Sequence, residues 1–361
     1  MDTSELLGRI VDRRYRINEL IGSGGMGSVY RATHLEMNRE IALKVLGRGI
    51  ADSDKQKTRF EQEARASSRL QHPNTIRVFD FGTTEDGRLY LAMEYLRGEP
   101  LSELLRREKR LSIDRCCHIG RQVCKSLSEA HQNGIVHRDL KPDNIYITDI
   151  HGEEDFVKVL DFGIAKSSES EDMASLTQTG FICGTPRYLS PEQALGRPVD
   201  ARSDLYSLGV ILFEMFTGNP PFVAATPIAL VMKHIHESAP EMEIDGTENA
   251  QWLKDLITIL LEKQPDERPP SAVAVSEALK SIYRNKKPDL TGSGLYNPSP
   301  NRTPSTVPTN QTVNFRPNRP ISGHGAAAQA SAVLSTNDTV VLSSEGILPQ
   351  LTHDGAVPMA R

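Results

Sequence analysis

The sequence predicts an α+β fold: a small lobe of antiparallel strands with one main helix, then a larger helical lobe, then a disordered tail. Three observations predict it. Short alternating apolar runs crowd residues 15–95, apolar residues at three- and four-residue spacing dominate from Leu101 onward, and composition changes sharply near Lys287.

Residues 14–46 contain three alternating runs broken by glycine: Tyr15 to Ile21, Ser28 to Ala32 and Glu40 to Leu46. These read as three antiparallel strands. Residues 54–70 read as a charged helix, Pro73 ends the linking turn, and Arg77–Phe81 and Leu89–Met93 read as two further strands. Helical periodicity then covers 112–132, 203–217, 227–236, 250–262 and 271–283. From Lys287 to Arg361 there are 9 of the chain's 22 prolines, 16 Ser or Thr, and only 9 charged residues. Such a segment buries too little apolar surface to offset its ordering entropy, so it is expected to be disordered.

Composition excludes several classes of function. The charge sum is 42 Lys+Arg against 47 Asp+Glu, a net of −5, which argues against a general nucleic-acid binder. The most apolar stretch, Leu205 to Thr217, is interrupted by Ser207 and Glu214 and is too short to span a membrane. The N-terminus, Met1-Asp2-Thr3-Ser4-Glu5, lacks a signal-peptide layout, so a cytoplasmic location is expected. Four cysteines are too few for a disulfide scaffold. Cys116, Cys117 and Cys124 share one helical stretch without a second ligand pair, which argues against zinc, and Cys183 stands alone.

The chemistry begins at Gly22-Ser23-Gly24-Gly25-Met26-Gly27-Ser28-Val29, a G-x-G-x-x-G-x-V pattern between two strand-like runs. In a dinucleotide site a strand leads into a helix; here another strand follows. A glycine-rich strand–turn–strand suits a flap whose backbone N–H groups close over nucleotide phosphates. Lys44 sits among apolar residues on the third strand, where its ammonium is costly unless paired. Phosphate oxygens and a helix carboxylate would satisfy it. Glu63 is the expected carboxylate, with Glu61 the competitor about 200° around the helix.

The decisive stretch is His137-Arg138-Asp139-Leu140-Lys141-Pro142-Asp143-Asn144. Asp139 can accept the proton of an attacking hydroxyl, Lys141 can neutralise a transferring phosphoryl group, and Asn144 offers a neutral oxygen to a hard cation. Asp161-Phe162-Gly163 follows 17 residues after Asn144. Here the sequence resembles the protein kinase superfamily, whose catalytic loop and Asp-Phe-Gly element have these residues in this order. The connection Thr148–Phe156 is longer than usual for that family and is expected to form a longer surface turn.

The resemblance implies a two-lobed kinase domain at 15–284, with lobes 15–95 and 96–284, a lead at 1–14 and a Ser/Thr/Pro-rich tail at 285–361. It implies Mg²⁺ (or Mn²⁺) held by Asn144 and Asp161, and ATP held by Ile21, the flap from Gly22 to Gly27, Val29, Ala42 and Lys44. Met93 would stand at the back of the adenine site, with the backbone of Glu94 and Leu96 along its edge. Gly184 to Glu192 resembles the end of a kinase activation segment, with Ser190-Pro191-Glu192 where Ala-Pro-Glu is more usual. Thr185 would steady Asp139 and Lys141, and Arg268 would pair with Glu192.

The Lys141-Pro142-Asp143-Asn144 form and Gly184-Thr185-Pro186 resemble Ser/Thr kinases, and the combination with Tyr188-Leu189-Ser190-Pro191-Glu192-Gln193 resembles bacterial Hanks-type enzymes. Autophosphorylation at Thr177 and Thr179 is expected, with Arg138 pairing the phosphate and a transient homodimer for the trans reaction. Protein substrates with Ser/Thr acceptors are implied, and Thr339-Val340-Val341-Leu342 resembles a site read by FHA domains. A pseudokinase scaffold is the rival reading. Retention of Lys44, Glu63, Asp139, Asn144 and Asp161 disfavours it. A small-molecule kinase is weakened by the full activation segment.

Overall fold

The computed structural model describes residues 6–24, 27–47, 54–150, 152–162, 186–243 and 247–290. The first lobe is a six-stranded antiparallel sheet: β1 (Ile10–Val11), β2 (Tyr15–Gly24), β3 (Gly27–His34), β4 (Arg39–Leu46), β5 (Val78–Thr83) and β6 (Leu89–Glu94). The strand order is β1-β2-β3-β4-β6-β5. Period-two alternation gives each strand two apolar faces. Ile41, Leu43 and Val45 join Tyr15, Ile17, Tyr30 and Tyr90 on one face. Ala42 and Leu46 join Val78, Leu89, Leu91 and Met93 on the other, against Phe60 and Ala64 of helix α1 (Asp54–Ser67). Lys44 stands between Ala42 and Leu46, so the alternation sends its side chain toward α1.

The second lobe contains α2 (Leu101–Glu108), α3 (Ile113–Gln132), α4 (Pro191–Ala194), α5 (Ala201–Thr217), α6 (Pro227–His236), α7 (Glu248–Leu260) and α8 (Ala272–Tyr283). A small sheet, β7 (Gly98–Pro100), β8 (Ile145–Ile150) and β9 (Glu153–Val159), lies beside them. Helix α5 is apolar nearly all round and buried accordingly. The Asp200 side chain caps its start, and Gly218 at φ 83 ends it in the left-handed conformation. Cys116, Cys117 and Cys124 are buried on α3, and burial pushes each thiol up, Cys117 to about 12, so all three pack as small apolar groups.

A polar seam ties the lobes. Thr75 pairs with Val159, and its hydroxyl lies 2.7 Å from Ser126 Oγ. Asn74 Nδ2 donates to Gln122 Oε1 and to Val157 O, both at 2.8 Å. The Glu129 carboxylate accepts the amides of Gln71 and His72 at 2.8 Å. The buried side chains of Asn74, Thr75, Gln122 and Ser126 therefore all find partners across the lobe boundary.

The longer turn expected at Thr148–Phe156 is corrected by the register. Thr148 pairs with Phe156 and Ile150 with Glu153, so the extra residues extend the strands, with an irregularity between Thr148 and Ile150. Asp155, at φ 56, is held by Arg115 through Nε at 2.5 Å and a second guanidinium nitrogen at 2.7 Å. Among the described residues no helix is long and apolar enough to cross a membrane.

Candidate active site

The glycine-rich segment forms a hairpin in which Gly22 pairs with Val29, Ser23 with Ser28 and Gly24 with Gly27. Gly25 and Met26, at its turn, lie outside the described residues. Gly27 has φ 143, and a Cβ there would stand 2.2 Å from Val45 O, so only glycine lets β3 approach β4 this closely. Ile21 is 44% exposed at the flap's edge.

Beneath the hairpin, Ala42 and Met93 belong to one apolar cluster, with Val29, Leu96 and Leu160 packed against it. Four of these five are the residues the sequence assigned to the adenine site; Leu160 carried no signal beyond its place before Asp161. The Glu94 amide donates to Arg77 O at 2.9 Å, and its carboxylate accepts from Lys158 Nζ at 2.7 Å, which braces the link between lobes. Among the described residues no hydrogen bond engages the Leu96 N–H, leaving a donor on this edge.

Lys44 Nζ donates to Asp161 Oδ2 at 2.7 Å, an ion pair joining positions 117 residues apart. Among the described ion pairs Lys44 goes to Asp161 and Glu63 to Arg59 at 3.6 Å. Glu61 and Glu63 are both half-buried, so burial does not separate them as the helical angle suggested.

The catalytic-loop residues are held from below by one buried carboxylate. Asp204, 1% exposed, accepts His137 N at 2.8 Å, Arg138 N at 2.9 Å and His131 Nε2 at 2.8 Å. His137 is fully buried; its Nδ1 accepts the Asp139 amide at 3.3 Å, so its Nε2 carries the proton donated to Leu160 O at 2.8 Å. Its ring lies 4.8 Å from that of Phe162. Asp204 is not among the site residues singled out from the sequence; it stands near the start of a largely apolar helix, and its partners in the loop come more than sixty positions earlier.

Above this base, Lys141 Nζ donates to Asp139 Oδ2 at 2.9 Å, and Asn144 Nδ2 donates to Asp139 O at 2.8 Å. Lys141 and Asn144 thus converge on Asp139, while Asp161, at φ 55, meets Lys44. Among the described residues Oδ1 of Asn144 and Oδ1 of Asp161 accept no hydrogen bond. No cluster of three or more His, Cys, Asp or Glu at metal-binding distance occurs among them. A hard cation held by these two oxygens would complete its shell with phosphate oxygens and water, as Mg²⁺ commonly does, so the residues fit a nucleotide-bound ion.

Arg138 is exposed, and among the described residues no carboxylate pairs with its guanidinium. Thr177, Thr179, Cys183 and Thr185 lie outside the described residues. The expected pair between Arg268 and Glu192 is formed and buried: its nitrogens donate to Glu192 Oε1 and Oε2 at 2.7 Å. The remaining donors reach the carbonyls of Glu262, Arg202 and Lys263, so all five N–H groups of Arg268 are used. Burial opposes the Glu192 charge, but hydrogen bonds and charge from Arg268 outweigh it and hold the carboxyl below its ordinary range.

A strand-rich lobe over a helical lobe, with a lysine of one paired to an aspartate of the other beside a paired Asp–Lys–Asn loop, defines the kinase class of phosphotransferases. The protein kinase domain family matches residues 15–283, and the chain belongs to that family. It is 44% identical over 289 residues to serine/threonine-protein kinase pkn3 of Myxococcus xanthus, covering 79% of this chain and 53% of that one. It is 37% identical over 333 residues to serine/threonine-protein kinase PknA of Mycobacterium tuberculosis, covering 91% and 74%. The crystal structure of the M. tuberculosis PknI kinase domain matches at a TM-score of 0.60 and 26% identity, over 76% of this chain and 97% of that one. The chain spans about half the length of the Myxococcus relative.

Proposed function

We propose that this chain is a protein Ser/Thr kinase that transfers the γ-phosphoryl group of Mg²⁺-ATP to protein hydroxyls, through a catalytic domain at 15–284. The ion pair between Lys44 and Asp161 carries the reading, because it brings a phosphate-binding cation and a metal-binding carboxylate together across the two lobes. Bound Mg²⁺-ATP supplies the phosphoryl group and screens its charge. Lys44, with Glu63 behind it, would orient phosphate oxygens; Asn144 and Asp161 would hold the ion; the hairpin from Gly22 to Gly27 would cover the phosphates. Val29, Ala42, Met93 and Leu96 would enclose the adenine, supported by their shared apolar cluster.

Asp139 would orient the acceptor hydroxyl and take its proton as Lys141 offsets the charge of the transferring group, with Thr185 steadying both. The exposed Arg138 guanidinium supports activation by phosphate at Thr177 and Thr179, placed there by a second copy of the chain. The tail, including Thr339, would then carry marks for an FHA-type reader. Labelled γ-phosphate offered with Ser, Thr and Tyr peptides, in Mg²⁺ and in Mn²⁺, tests the reading. Label on Ser and Thr with Mg²⁺ is expected; label on Tyr alone, or none, contradicts it.

A further inference from the structure

We propose that Gln193, braced by Ser190, is a positioning residue that fixes the peptide unit carrying Asp139. The inference rests on the kinase reading for its meaning, though its geometry stands independently. Ser190 is the departure from the more usual Ala-Pro-Glu, and it is fully buried. Its hydroxyl accepts the Gln193 amide N–H at 3.3 Å, capping α4. The Gln193 side chain answers with Oε1, which accepts Ser190 N at 3.2 Å and Ser190 Oγ at 3.0 Å.

Two donors on Oε1 settle which end of the amide is which. The NH₂ group must point the other way, and there Nε2 donates to Arg138 O at 2.8 Å. Helix capping uses Oε1 alone; the bond from Nε2 leaves the helix and reaches the catalytic loop. Arg138 is a non-glycine residue at φ 64, a conformation that surrounding contacts must impose. Asp204 grips it from its own N–H. Gln193 grips the next peptide unit by its carbonyl, and His137 Nδ1 takes that unit's N–H, the amide of Asp139. With both ends of this peptide fixed, the direction of the Asp139 side chain is set. The base of the grip is rigid, because the neighbouring Glu192 is locked to Arg268.

Gln193→Glu separates positioning from capping. It keeps an acceptor for Ser190 and turns an oxygen toward Arg138 O, where a donor is needed. In the full chain with Mg²⁺-ATP and an acceptor peptide, Gln193→Glu is expected to lower kcat about tenfold, as small misplacements of reacting groups do. The KM for ATP should stay within about twofold and Tm within about 2 °C. Amide hydrogen exchange should quicken in peptides spanning residues 135–141 and nowhere else. Ser190→Ala should lower Tm more and kcat less. A wild-type kcat with unchanged loop exchange in Gln193→Glu overturns the inference, as does a kcat loss that follows Tm equally in both variants. If the wild-type chain transfers no phosphate, the kinase reading fails separately. The exchange comparison then decides alone: faster exchange confined to 135–141 supports the grip, and unchanged exchange overturns it.

Discussion

The residue that does most to shape the site is not one that touches substrate. Asp204 uses two oxygens to accept three N–H groups, two from the loop backbone and one from His131, while itself only 1% exposed. Asparagine has the same shape and one acceptor oxygen, so Asp204→Asn sets an NH₂ against at least one buried donor. Leaving such a group unsatisfied costs about 1–3 kcal/mol. Urea denaturation should show a loss of that size, and kcat should fall as the loop relaxes; an unchanged midpoint would contradict the account. The motif residues Lys44, Asp139, Lys141, Asn144 and Asp161 could be read from the sequence because charged side chains crowd between apolar runs. Their brace could not, because Asp204 comes 65 positions after Asp139 and nothing local marks the pairing.

At the scale of elements, the long periodic segments emerged as expected: α3, α5, α6, α7 and α8 fall within two residues of their predicted spans. The misses are short. Strands β1 and β7 have two and three residues, too few for a period, and the eight-residue α2 begins directly after Pro100. The Thr148–Phe156 correction has the same cause, since local polarity suggests a turn while pairing with β8 makes a strand. The glycine hairpin shows how geometry separates residues that the pattern treats alike. A Cβ at Gly27 would meet the Val45 carbonyl, whereas one at Gly24 would meet nothing within 4 Å. Gly27→Ala should therefore lower Tm by several degrees, a loss of about 1 kcal/mol or more, and weaken nucleotide binding. Gly24→Ala should leave Tm within about 2 °C. Equal Tm losses in the two variants would show that the pairing of β3 with β4 is not what constrains the flap.

For the molecule as a whole, buried charge sets the response to acid. His234 is fully buried beside Phe222 and Tyr206, whose hydroxyl lies 2.9 Å from Nδ1, with Lys263 close by. Burial first, and then the Lys263 charge, push its pKa down to about 4 from 6.5. Below pH 6.5 the unfolded chain binds a proton that the folded chain refuses, so this group's contribution is full above 6.5 and is lost toward pH 4. The slope is at most about 1.4 kcal/mol per pH unit. Glu192 acts lower: its folded pKa lies below 4.5, so its contribution is intact above that value and disappears as pH falls through the folded one. Denaturation midpoints should decline from pH 6.5 to 4.5 in the wild type and less steeply in His234→Gln. Parallel declines would remove His234 from the explanation.

The central claim is that Asp139, Lys44 and Asp161 form a working phosphotransfer site, and intact-mass spectrometry after incubation with Mg²⁺-ATP tests it most directly, beside an Asp139→Asn variant. The account predicts mass gains in steps of one phosphate, absent in the variant, with products mapping to Thr177 or Thr179. No gain in the wild-type chain while nucleotide remains bound, or equal gains in both proteins, would contradict it.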